Sequence, residues 1–255
     1  MTKEKRLEQI MSLLLSLGSV DINQLSENFD VAKMTIRRDL YELEKRKLII
    51  RTHGGAMLAN TDNMFERPFA ERLKLNRDKK SAIVKYANTT IHSGDKIFIA
   101  SGTTMHLLAL AIDNSRKLFV VTNSLHIASE LVTRSNISII MIGGELRSNT
   151  LSATGTIADN MAAQFQCTSA YMGVNAIDAD GNIYLGSTSE NGIFHINYEQ
   201  VENFYILADS TKLGKKDFVN FAKLKRGVTL ITDSMADPEM IKNYKDMGAK
   251  VVIAG

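Results

Sequence analysis

Ile97-Phe98-Ile99-Ala100-Ser101-Gly102-Thr103-Thr104 decides the fold. A buried strand ends here, a small polar loop follows, and a helix begins. Gly102 permits close backbone approach, and Ser101, Thr103 and Thr104 offer hydroxyls. The helix that follows points its free amides at the loop, which favours an anion. A phosphate can be held by such a loop without a metal.

Working outward, similar apolar runs recur at Lys96–Ala100, Leu118–Thr122, Ile137–Ile142, Ala170–Val174, Asn203–Ala208, Val228–Thr232 and Lys250–Ala254. Amphipathic segments such as Met105–Ile112 and Leu125–Thr133 lie between the earlier ones. Apolar runs alternating with helical patterns imply parallel β-α-β units, with a sheet buried on both faces. Residues 76–255 suffice for one core of that kind. Polar loops follow several runs: Asn123-Ser124, Gly143-Gly144-Glu145-Leu146-Arg147, Gly173-Val174-Asn175-Ala176-Ile177-Asp178 and Asp209-Ser210-Thr211-Lys212. Parallel sheets collect ligands beyond their strand C-termini, so these loops are expected to converge on one pocket. Arg147 and Lys212 would add cationic contacts to a phosphate or a sugar hydroxyl.

Composition narrows the classes. The chain has 255 residues, 44% hydrophobic and 23% charged, an ordinary globular balance that excludes a disordered or fibrous chain. The formal charge of +3 does not announce a nucleic-acid binder, so that conclusion must come from local clustering. A single cysteine, Cys167, excludes an intramolecular disulfide framework and a multi-cysteine zinc site, and no cofactor or metal is expected. No apolar run approaches the roughly 18 residues of a membrane span. The N-terminus, MTKEKRLEQIMSLLL, reads as a helix and not a signal peptide, so a cytoplasmic location is expected.

The first 55 residues follow a different pattern. Leu7, Ile10, Met11, Leu14 and Leu17 mark one face of a helix that Gly18 ends. Asp21 followed by Gln24 resembles a capping box for a second helix carrying Ile22, Leu25 and Phe29. A third runs from about Lys33 to Lys45 with Ile36, Leu40 and Leu43 inward. Leu48–Thr52 reads as a strand and His53-Gly54-Gly55 as a turn or strand end. Three helices, a strand and a turn describe a winged helix-turn-helix. The outward side of the third helix carries Lys33, Thr35, Arg37 and Arg38: arginine can grip guanine bidentately, and threonine can contact a thymine methyl or a phosphate. Residues 33–51 hold seven basic residues (Lys33, Arg37, Arg38, Lys45, Arg46, Lys47, Arg51) against three acidic ones (Asp39, Glu42, Glu44). The basicity is concentrated where a DNA backbone would lie, with Arg51 and His53 as further contacts. The expected organisation is a DNA-binding domain over 1–56, a linker with some helix over 57–77, and an α/β effector domain over 78–255.

The ordered string Thr35-Ile36-Arg37-Arg38-Asp39-Leu40, then Leu43-Glu44, then Arg51-Thr52-His53-Gly54-Gly55-Ala56 resembles the N-terminal signature of the DeoR/GlpR family of bacterial transcriptional repressors. SGTT, TNS, GGELR, the GVNAID stretch and ADSTKLG occur in the order of that family's sensor domain, so the resemblance covers nearly the whole chain. It implies a sensor similar in fold to ribose-5-phosphate isomerases and glucosamine-6-phosphate deaminases. It further implies a phosphorylated sugar or related metabolite as inducer, whose binding releases double-stranded operator DNA. The effector residues it implies are Ser101, Gly102, Thr103, Thr104, Asn123, Ser124, Gly144, Arg147, Asn175, Asp178 and Lys212. A homo-oligomer, dimer or tetramer, is expected because two-fold operators are read by paired units.

Three departures stand out. Ala32 replaces the family's capping serine, at about 1 kcal/mol of local helix stability. Ala100 stands where an aspartate is usual. After Glu190 the usual basic, alanine-rich helix gives way to Asn191-Gly192-Ile193-Phe194-His195-Ile196-Asn197. The competing reading is a sugar-phosphate isomerase or deaminase with an appended DNA-binding unit. Such chemistry needs a carboxylate base, and the aligned position is Asn175, which cannot accept that proton. Asp178, Glu145 and Glu190 remain nearby. A third reading is a constitutive DNA-binding protein whose second domain serves only assembly.

Overall fold

The computed structural model describes residues 2–17, 19–46, 48–52, 54–58 and 69–255. The chain forms two compact units, Met1–Glu66 and Arg67–Gly255. Lys47, His53 and residues 59–68, which include most of the expected linker and Pro68, lie outside the described residues, as does Gly18.

In the first unit, α1 (Lys3–Leu17) is followed by β1 (Ser19–Asp21), α2 (Ile22–Phe29), α3 (Lys33–Lys45), β2 (Ile49–Arg51) and β3 (Gly55–Leu58). Leu7, Ile10 and Leu14 of α1, Leu25 of α2 and Ile36, Leu40 and Leu43 of α3 form one core with Ile49 and Ala56. Asp21 caps α2: its Oδ1 accepts from the Asn23 and Gln24 amides at 2.7 and 3.2 Å. Ala32 has no side-chain bond to offer α3, as expected of an alanine.

The wing is more regular than the periodicity indicates. β3 is a full strand in the centre of an antiparallel sheet ordered β1-β3-β2, so residues 57–58 belong to the wing rather than to a linker. Gly55 makes this possible: a Cβ there would lie 1.8 Å from the Val20 carbonyl oxygen, so only glycine lets β3 reach β1.

In the second unit α4 (Phe69–Lys74) and α5 (Arg77–Thr89) precede β4 (Lys96–Ile99). Then come α6 (Thr103–Ala111), β5 (Leu118–Thr122), α7 (Leu125–Leu131), β6 (Ile137–Met141), β7 (Glu145–Arg147), β8 (Ser152–Thr154) and α8 (Gly155–Ala162). The chain continues through β9 (Ser169–Gly173), β10 (Ala176–Ile177), β11 (Asn182–Leu185), α9 (Asn191–Gln200), β12 (Asn203–Leu207), β13 (Val219–Lys223), β14 (Val228–Asp233), α10 (Pro238–Asp246) and β15 (Lys250–Ala254). The seven apolar runs become one parallel sheet ordered β15-β14-β12-β9-β4-β5-β6.

Strand alternation builds two cores, one on each face. Ile97, Ile99, Val120 and Ile231 pack with α5, α6 and α7; Phe98, Ala100, Val121, Met172 and Ile206 pack with α8, α9 and α10. A β7–β8 hairpin and a small antiparallel sheet ordered β10-β11-β13 are additions that the sequence pattern did not announce. The winding reverses between β4 and β9: from β4 the chain steps to β5 and β6 on one side, and from β9 to β12, β14 and β15 on the other. Such a switch leaves a crevice beyond the strand C-termini.

Candidate nucleic-acid interface and effector site

The exposed face of α3 follows from which side of it is buried. With Ile36, Leu40 and Leu43 in the core, the opposite line is Met34, Arg38, Tyr41 and Lys45, at steps of four, three and four residues. All four are exposed, as are Lys33 and Arg37, and Thr35 is half-buried. Arg37 also lines a groove of about 490 Å³ between α3 and the wing, with Ile22, Leu40, Glu44, Arg51, Thr52 and Gly55.

Every acidic residue of α3 is tied to a base. Asp39 is buried and receives Arg6 of α1 in a two-pronged pair, Nε to Oδ2 at 2.5 Å and Nη2 to Oδ1 at 3.2 Å. The Asp39 hydrogen bond raises the Arg6 pKa further against the cost of burial. Glu42 pairs with Lys3 and Arg46. Glu44 accepts from Arg51 Nε at 2.6 Å, and the Arg51 guanidinium stands 5.4 Å from the Tyr41 ring centre. Arg37 and Arg38 make no ion pair among the described residues, so their cations face solvent. The Arg6–Asp39 pair escapes sequence reasoning because a charge on a short helix reads first as a solvated one. The faint signal is that Asp39 falls on the same face as Ile36 and Leu43.

In the second unit, β4 delivers Ser101–Thr104 to the crevice. Ser101, Thr103 and Thr104 are buried, and Gly102 at φ +131° precedes α6 in a conformation that L side chains rarely adopt. Among the described residues, an added Cβ on Gly102, Gly143 or Gly173 would meet nothing within 4 Å. These three glycines lie just beyond or at the ends of β4, β6 and β9, so the strand ends face open space.

Hydrogen bonds join the loops. The Ser101 amide donates to Asn123 Oδ1 at 2.9 Å, and Asn123 Nδ2 donates to the Ala153 carbonyl at 3.1 Å. Ser124 caps α7 through the Ile127 amide. These contacts pin the β7–β8 hairpin beside Ser101 and bring Arg147, opposite Ser152, to the same side. Arg147 is buried and its Nη1 lies 2.7 Å from Glu190 Oε1, so its cation is held in an ion pair. Lys212 Nζ donates to the Val174 carbonyl at 2.5 Å, beside Asn175.

Other expected residues have local duties. Asp178 is buried, yet its carboxylate accepts from the Asp180 and Asn182 amides, Asn182 Nδ2 and the Tyr184 hydroxyl. Burial opposes its charge, but those donors outweigh it and the pKa is lowered. Gly144, at φ +146°, is required by packing: a Cβ would come within 2.8 Å of Ala158 and the Thr154 carbonyl. Ala100 packs in the apolar core, and its amide donates to the Tyr171 carbonyl. The unusual segment after Glu190 folds as α9, and its Gly192 is met by the Asp159 carboxylate, whose oxygen would lie 2.0 Å from an added Cβ.

Two features were missed from sequence. Lys80 of α5 is buried, on one stripe with Ile83, Val84 and Ala87. Burial first, then the charge of Lys212 and Arg72, lowers its pKa to about 8, while Asp209 works the other way. A lysine on an apolar stripe is the signal that could have found it. Phe69 of α4 stacks on His126 at 3.9 Å and meets His106 edge-on at 5.6 Å. Among the described residues no cluster of three or more His, Cys, Asp or Glu could hold a metal, and no helix is long and apolar enough to cross a membrane.

Comparison with known proteins agrees with this two-part layout. Residues 6–62 match the DeoR-like helix-turn-helix domain and residues 75–234 the DeoR C terminal sensor domain. The chain is 34% identical over 246 residues to the lactose phosphotransferase system repressor of Lactococcus lactis subsp. lactis, covering 96% of each chain. It is 31% identical over 234 residues to the glycerol-3-phosphate regulon repressor of Escherichia coli (strain K12), covering 92% of each. Among solved structures, ribose 5-phosphate isomerase A from Methanocaldococcus jannaschii aligns at 16% identity and a TM-score of 0.40, over 54% of this chain and 55% of that one. Both domain matches, and the coverage of these repressors over nearly their whole length, lead to one conclusion: the chain belongs to the DeoR family of transcriptional regulators.

Proposed function

We propose that the protein is a cytoplasmic repressor of carbohydrate-metabolism genes, released from its operator by a phosphorylated sugar or related metabolite. The observation that carries the effector half is the buried Ser101-Gly102-Thr103-Thr104 bend, opening on free space at the amide end of α6. The phosphate occupies that bend, and Lys212 from the loop after β12 and Lys80 from α5 supply positive charge. Asn123 holds the bend in shape through the Ser101 amide and Ser124 caps α7 beside it, while Arg147 with its Glu190 partner, Asp178 and Gly144 border the site from the neighbouring loops. Asn175 faces the sugar. On the DNA side α3 enters the major groove, with Arg37, Arg38, Lys33 and Thr35 on bases and phosphates, and Arg51 and His53 on the backbone. The relatives' names, a lactose phosphotransferase system repressor and a glycerol-3-phosphate regulon repressor, fit this class of target.

Coupling follows from linkage: the effector lowers DNA affinity by binding better to a conformation that docks poorly. A homo-oligomer presents paired helices to a two-fold operator. The enzyme reading loses ground because Asn175 supplies no base. The deciding experiment is a gel shift on the promoter beside the protein's own gene with a panel of phosphorylated sugars. One sugar phosphate should release wild-type protein, while Thr103→Val keeps DNA binding and needs far more of it. Release of Thr103→Val at wild-type concentrations would move the phosphate elsewhere, and turnover of ribose 5-phosphate or glucosamine 6-phosphate would restore the enzyme reading.

A further inference from the structure

The solvent line of α3 holds a residue that phosphate binding does not use. Met34 is 55% exposed on the first turn, in line with Arg38 one turn later and with Tyr41 and Lys45 beyond it. It belongs neither to the core stripe nor to the helix cap, which is Ala32. Lys33, Arg37 and Arg38 around it can take phosphates or guanine edges. A thioether gains nothing from a phosphate; it gains by shedding water against another apolar group. In the major groove one base presents such a group, the C5 methyl of thymine. Recognition helices bring their N-terminal residues to base edges, and Met34 is on that turn. Its unbranched, polarisable side chain can settle on a methyl without strict geometry.

We propose that Met34 is a specificity-determining residue that reads a thymine methyl in the operator. The proposal rests on the reading that α3 enters the major groove. Spacing makes it sharper. Four residues of helix advance about 6 Å, and base pairs succeed one another every 3.4 Å or so. The thymine therefore lies one or two base pairs from the guanine held by Arg38.

The probe is the tightest duplex that the full-length chain enriches from a random double-stranded library. Each thymine is replaced in turn by deoxyuridine, which removes only the methyl, and binding is measured for wild type and Met34→Ala. Alanine is the best helix former and position 34 is exposed, so the variant keeps its fold. One thymine per half-site should stand out: its replacement weakens wild-type binding about fourfold, the worth of one buried methyl, and leaves Met34→Ala unchanged. Met34→Leu should restore the sensitivity. Equal deoxyuridine effects in wild type and Met34→Ala, or none at any thymine, would overturn the assignment while leaving DNA binding intact. Failure to enrich any duplex would overturn the major-groove reading itself, and this assignment with it.

Discussion

Asp39→Ala should weaken DNA binding without touching a DNA contact. The carboxylate is buried, with 2% of its side chain exposed, and receives two hydrogen bonds from the Arg6 guanidinium, itself 9% exposed. Removing it leaves a buried cation without its counter-charge, which costs about 3–5 kcal/mol. The unit that contains the pair spans Met1–Glu66. At about 0.05–0.15 kcal/mol per residue, its total stability is about 3–10 kcal/mol. The single change therefore removes a third or more of that stability and, toward the lower end, all of it. Hydrogen exchange read by mass spectrometry resolves the two units separately: peptides of α1 and α3 should lose protection, while peptides of β4, β5 and β9 keep theirs. The double variant Arg6→Met/Asp39→Leu swaps the pair for apolar volume and should recover most of the protection, as such replacements are often neutral or better. Protection of α1 and α3 in Asp39→Ala within about 1 kcal/mol of the parent would refute the claim that this pair holds the recognition helix in place.

Three further outcomes follow from geometry already described. Ala32→Ser should stabilise the first unit by about 1 kcal/mol, read as a higher urea midpoint, because a hydroxyl at the helix start can accept an exposed first-turn amide. Lys80, with its pKa lowered to about 8, is charged below that pH and loses its proton above it. A bound dianion favours the charged form, so affinity for sulfate, which has no ionisation of its own in this range, should fall as pH rises from about 7.5 to 9.5. In Lys80→Met sulfate binding should be weaker and that part of the pH dependence absent. His106 and His126 are half-buried, and that partial burial is the main reason both titrate below 6.5; the charge of His126 lowers His106 further, while Glu130 works the other way. The unfolded chain therefore takes up protons first. Stability is unaffected well above pH 6.5 or so and declines below it until the folded values are reached, and the melting temperature of His106→Gln/His126→Gln should drop less between about pH 7.5 and 5.

The parallel sheet was readable because its strands are short apolar runs, most of them rich in Val and Ile and largely buried on both faces, and its order placed the polar loops at one end. The β7–β8 hairpin and the β10–β11–β13 sheet were not, since strands of two to five residues with mixed polarity carry no usable period. The wing was half legible: β2 is an apolar run, but Gly54-Gly55 looks like punctuation when Gly55 is in fact the point where two backbones touch. Motif order brought Ser101, Asn123 and Arg147 into one neighbourhood, yet nothing in sequence says that Arg147 already holds Glu190. Lys80 and Arg6 stayed hidden for a common reason. A long cationic side chain buries only when a specific partner or ligand repays its lost hydration, and partners distant in sequence are invisible to periodicity.

Gly192 and Asp159 are tied together by a contact that leaves no room for a methyl group. A side chain at 192 would meet that carboxylate unless the Asp159 side chain swings away. The two positions therefore have to change together: a lineage that gains a side chain at 192 must first shorten or turn aside the residue at 159. Across relatives they should behave as one inherited character, and a chimera that transplants the alanine-rich helix alone should fold poorly until position 159 is transplanted with it.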